Sequence, residues 1–114
     1  MSITPYDLNQ FVYSKYYYGH QGVMFTEGVK FFCDELNDDW LLDLVVSVMT
    51  TIENEAFVCI QVNVKEGRGE VIITDISNKV IYRKSMNDIE CPDGDWMFYK
   101  EKDLLLVPSE YWGR

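Results

Sequence analysis

Histidine and basic side chains are scarce in this sequence, and each shortage removes a class of function. His20 is the only histidine, and catalysis through an imidazole base needs a nucleophile held beside it. No Gly-x-Ser-x-Gly elbow accompanies it, so an exposed or locally bonded ring is expected at His20. Ten Lys and Arg stand against nineteen Asp and Glu, a formal charge of −9. A field of that sign repels phosphate backbones and attracts basic proteins, so no direct nucleic-acid binding is expected.

The three cysteines, Cys33, Cys59 and Cys91, are far apart and form no Cys-x-x-Cys pair. That excludes a disulfide framework and a zinc knuckle, and Cys33 and Cys59, set within apolar patterns, read as buried thiols of a reduced cytoplasmic protein. Met1 to Gln10 has neither a basic start nor an apolar run, so no secretory signal is expected. Apolar runs such as Leu44-Val45-Val46 are far too short to span a bilayer, and no membrane partner is expected. Gly67-Arg68-Gly69 lacks the Lys-Ser/Thr of a phosphate-binding loop. Asp34 with Asp38, and Asp39 with Asp43, are one helical turn apart, but no Asp-x-Asp-x-Asp-Gly loop is present. Solvated helix faces explain these carboxylates, and neither a metal nor a cofactor is expected.

What is present is ample apolar material: 47 % of the 114 residues are hydrophobic and 15 % aromatic, enough for one folded domain over residues 1–114. Its centre is the stretch from Thr26 to Thr51, which reads as two helices broken at Leu36-Asn37-Asp38. Trp40, Leu41, Leu44, Val45, Val48 and Met49 fall on one side of the second helix. Upstream, Thr4-Pro5-Tyr6-Asp7 looks like a helix start, predicting a short helix from Pro5 to Val12 that turns Leu8, Phe11 and Val12 inward. Tyr13 to Gly22 reads as an extended segment or ordered loop, and Val23-Met24-Phe25 as an apolar entry to the helices. Beyond Thr51 the period changes to two. Strands are expected at Phe57 to Val64, Glu70 to Ile76, Val80 to Ser85, Trp96 to Lys100 and Leu104 to Val107, followed by a polar, aromatic tail. The fold class is α+β, with two or three N-terminal helices on one face of an antiparallel sheet of about five strands.

Four segments carry a resemblance: Leu8-x-Gln10-Phe11, Phe25-Thr26-x-Gly28-Val29, Trp40-Leu41-Leu42-Asp43 and Leu106-Val107-Pro108-Ser109-Glu110-Tyr111. On these the chain resembles a family of small proteins of unknown function from bacteria and their phages. The family brings no activity; it implies a phage or mobile-element setting, in which small acidic proteins often inhibit host defence or regulation.

Charge is distributed unevenly. Residues 27 to 55 hold eight carboxylates and Lys30 alone, whereas residues 65 to 84 hold five basic and three acidic groups. The expectation is a non-enzymatic module that binds a host protein with a basic surface through Glu27, Asp34, Glu35, Asp38, Asp39 and Asp43. Tyr16, Tyr17 and Tyr18 supply stiff aromatic contacts or cover the core edge. A homodimer through the sheet is the alternative; a small hydrolase using groups such as Glu53 or Asp93 is a third reading.

Overall fold

The computed structural model describes residues 3–112. A 3-10 helix, Pro5–Gln10, opens the chain. Thr4 N–H donates to Asp7 Oδ2 at 2.7 Å, a side-chain bond back to the cap residue that the Thr-Pro-x-Asp pattern provides, and Asp7 N–H donates to the Thr4 carbonyl at 2.9 Å as the helix's first backbone bond. The helix ends earlier than predicted. Leu8 is buried and Phe11 packs on Phe31, but Val12 lies 54 % exposed, contrary to the expected inward position. The chain is already extended at Phe11, which rotates Val12 off the helical face.

Strands β1 (Tyr18–His20) and β2 (Val23–Phe25) form a tight hairpin where an extended segment or ordered loop and an apolar entry segment were expected. The turn residues Gln21 and Gly22 both have positive φ, the geometry that matches strand twist in two-residue hairpins. Helix α1 (Glu27–Leu36) then stops at Asn37, which adopts the left-handed conformation. Asn tolerates that state at little steric cost, so the break falls where Leu36-Asn37-Asp38 suggested. Helix α2 (Trp40–Ser47) follows, and α3 (Met49–Ile52) is a single further turn. Leu41, Leu44, Val45 and Val48 are buried as their spacing predicts; Leu42 is buried as well.

The rest is mostly sheet: β3 (Phe57–Lys65), β4 (Arg68–Asp75), β5 (Val80–Met86), β6 (Gly94–Glu101) and β7 (Leu104–Leu106). Helix α4 (Pro108–Trp112) replaces the expected polar tail. The strand order is β1-β2-β7-β6-β3-β4-β5. The sheet therefore has seven strands, not about five, and it is mixed, because β2 runs parallel to β7. Nor do all helices precede the sheet, since α4 follows it.

Alternation on β3 decides which face is the core. Val58, Ile60, Val62 and Val64 are buried, and register places Ile73 and Phe98 on either side of Ile60. Phe32 of α1 packs edge-on to Phe98 and Trp96, with centroids 4.9 and 5.0 Å apart, so α1 covers this face. On the opposite face Tyr111 of α4 meets Phe57 and Tyr99, at 5.3 and 5.4 Å. Gln61, Asn63, Glu70 and Ile72 on that face stay half-buried.

Candidate functional site: an acidic helical tip

Five of the carboxylates singled out from the sequence gather around the α1–α2 junction. Asp34 and Glu35 end α1, Asp38 and Asp39 form the connection, and Asp43 follows in the first turn of α2; all five are exposed. Asp38 is also structural: its Oδ1 accepts from Trp40 N–H at 2.8 Å and so caps α2. Asp34 Oδ2 accepts from Lys30 Nζ at 2.6 Å one turn away, and this contact raises the Lys30 ammonium above its ordinary range. Asp43 Oδ1 lies 2.9 Å from His20 Nε2, which ties strand β1 to α2 and accounts for the lone histidine as a locally bonded one. Among the described residues, no hydrogen bond joins His20 to a serine or cysteine.

Cys33, Asp34, Asn37, Asp38 and Asp39 line a shallow concavity of about 520 Å³ at this tip. Burial pushes the Cys33 thiol up to about 12, and the neighbouring carboxylates of Asp39, Asp34 and Asp38 add to the shift. That thiol stays protonated and is a poor nucleophile near neutral pH. Among the described residues, no group of three His, Cys, Asp or Glu side chains is placed to hold a metal ion.

Glu27 stands apart. It begins α1, about 12 Å of helix rise from Glu35, and its Oε2 accepts from Lys15 N–H at 2.7 Å while its own N–H donates to Ser14 Oγ. Of the tyrosines, Tyr18 packs on Phe25 with centroids 5.6 Å apart and carries Lys30 over its ring. Tyr16 and Tyr17 are half exposed or more; Tyr17, with Tyr13, borders a small cleft beside Leu104 and Leu106. The tyrosine run thus divides between core edge and surface, and none of it lines the acidic tip.

Sequence reasoning passed over Glu110, the most deeply placed carboxylate. Only 3 % exposed, it accepts from Thr26 Oγ1 at 2.5 Å, Val107 N–H at 3.0 Å and Gly28 N–H at 3.2 Å. One carboxylate thereby caps α1 and α4 together. The signal was legible: Pro108 followed two residues later by Glu110 is a helix start. Thr26, Gly28 and Glu110 belong to two of the segments that carry the resemblance, so those segments meet in a structural knot away from the acidic tip.

Fold and tip together define a small α+β domain with a mixed seven-stranded sheet, a helical layer on one face and a negative pole on that layer. The chain belongs to a family of unknown function, DUF6876, whose sequence model matches residues 2–111. Among curated proteins and among solved structures, none matches it. No helix among the described residues is long and apolar enough to cross a membrane.

Proposed function

We propose that this protein is a non-enzymatic binding module that docks its acidic helical tip on a basic protein surface. In the phage or mobile-element setting that the resemblance implies, this makes it an inhibitor of a host defence or nucleic-acid-handling protein. One observation carries the reading. Asp34 and Glu35 occupy the last turn of α1, and no basic residue is there. The carboxyl end of a helix carries partial negative charge, so each acid there costs about 0.3–1 kcal/mol where a lysine would help. Asp38 and Asp39 stand at the favourable end of α2, but among the described residues no ion pair compensates Glu35. Unfavourable local placement of this kind is a mark of selection for something other than stability.

The test is capture from host lysate in rising salt, followed by kinetics on the captured protein. Steering by exposed charge predicts that Asp34→Asn, Glu35→Gln and Asp39→Asn together lower the association rate by about tenfold and change dissociation far less. Capture that ignores both ionic strength and these substitutions refutes the proposal.

A further inference from the structure

We propose that the groove between α2 and strand β5 accepts an extended, arginine-bearing segment of a partner protein as an eighth strand of the sheet. The starting point is the edge itself. Strand β5 pairs with β4 alone, and, among the described residues, no backbone hydrogen bond outside that ladder involves Val80 to Met86. A seven-residue edge leaves a row of donors and acceptors for another chain.

The surroundings of this edge select what can pair with it. Register with β4 sends Tyr82, Lys84 and Met86 to the helical side, opposite Ile73, Val71 and Gly69, and sends Arg83 and Ser85 to the open side. On the helical side a hollow of about 270 Å³ separates the edge from α2. Trp40, Leu44 and Met86 form its apolar lining, and Asp38, Asp43 and Lys84 its charged lining. Trp40, which lines the hollow, also keeps a buried ring N–H without an acceptor among the described residues. A helix beside a free strand, with a hollow for alternate side chains, is the arrangement that recognises peptides by strand addition.

The lining favours arginine in that hollow. Its aliphatic stem matches Leu44 and Met86, its planar cation stacks on an indole, and its fork pairs with carboxylates. Two carboxylates outnumber the single ammonium of Lys84. The other cation of the edge, Arg83, lies on the opposite face and is already 3.3 Å from Glu70. The inference shares with the proposed function the sign of the partner's charge and the carboxylates Asp38 and Asp43, but it adds a different contact, made through backbone pairing.

The experiment titrates the isotopically labelled full chain with the synthetic peptide Ac-Thr-Val-Thr-Arg-Val-Thr-Val-NH2, following backbone amides and the Trp40 indole by NMR. Saturable shifts are expected across Val80 to Met86 and at the indole. N-methylating alternate peptide amides, or exchanging Arg for Glu, is expected to weaken binding by about tenfold or more, because one removes strand pairing and the other inverts the charge. Absence of shifts in β5, or shifts there that survive N-methylation, overturns the inference. So does a free protein that light scattering shows to be a dimer and whose β5 amides are protected from hydrogen exchange. Shifts confined to the Asp34 to Asp39 tip sink strand addition while leaving the proposed function standing. Peptide binding at β5 together with host capture that ignores the tip substitutions does the reverse.

Discussion

Gly28 offers the sharpest test of how the two ends of the chain are joined. In an ordinary helix, replacing glycine by alanine stabilises by up to about 1 kcal/mol. Here the added methyl would lie 2.9 Å from Glu110 Oε1 and 2.9 Å from Val107 Cγ2. Val107 is fully buried, and the Glu110 carboxylate is held by three donors, one of them the Gly28 N–H itself. To make room, the carboxylate must give up part of that set. Overpacking costs about 1–3 kcal/mol and a weakened buried hydrogen bond a similar amount. After the gain in helix propensity, Gly28→Ala is expected to destabilise by about 2–4 kcal/mol, which lowers Tm by about 10–20 °C in a domain of this size. Urea unfolding followed by circular dichroism measures it, with the midpoint moving and the slope unchanged. In a Glu110→Ala background one of the two obstructing side chains is gone and Val107 alone remains, so adding Gly28→Ala should cost at least about 1 kcal/mol less. A Gly28→Ala protein as stable as the parent would refute the argument.

Three further outcomes follow from the same geometry. Glu110→Ala leaves the Gly28 and Val107 N–H groups and the Thr26 hydroxyl without their acceptor, and should cost about 3–5 kcal/mol by denaturant midpoint; Glu110→Gln, which keeps one oxygen, should cost less. Burial pushes the thiols of Cys33 and Cys91 from 9.0 up to about 12. The unfolded chain therefore loses these protons first, and stability should fall as pH rises from 9 towards 12, with Cys33→Ala flattening the fall. Burial lowers the Lys100 ammonium from its ordinary 10.5, so this group opposes the trend by adding stability as pH approaches that value. Finally, Glu35→Gln should raise stability by about 0.3–1 kcal/mol in thermal melts at low salt while weakening partner capture.

Periodicity made much of the fold legible. The apolar face of β3 and the helix break at Asn37 are where spacing and cap chemistry put them, because both are decided by residues within a few positions of one another. The β1–β2 hairpin was hidden by Tyr16 to Tyr18, whose aromatic run masks alternation, although Gly22 marks the turn. The parallel pairing of β2 with β7 brings together segments some eighty residues apart, and no local pattern encodes such a partner. Glu110 was missed for a related reason. Its bond from the Val107 N–H is local, but its burial depends on Thr26 and Gly28, far away in the chain. The acidic tip was readable in composition, while the exclusion of Glu27 from it was not. That depends on Ser14 and Lys15 folding back onto the start of α1.

The residues that hold the fold and the surface proposed for recognition lie in different layers. The residues that hold the fold, Phe32, Trp96, Phe98 and the β3 valines, are buried between α1–α3 and the sheet. Four of the tip carboxylates contribute little to that core, since exposed pairs such as Lys30 with Asp34 are screened by solvent; Asp38 is the exception through its cap on α2. If the charge existed only for solubility, scattering it over the surface would serve equally well without loading the negative end of α1. On the proposed function, the carboxylates gathered at the α1–α2 junction would give the molecule a direction of approach, with a basic partner meeting α1 and α2 first. A variant that gains stability and loses its partner would bear the signature of a surface kept for binding at the expense of the fold, and neutralising Glu35 is the smallest change that can produce it.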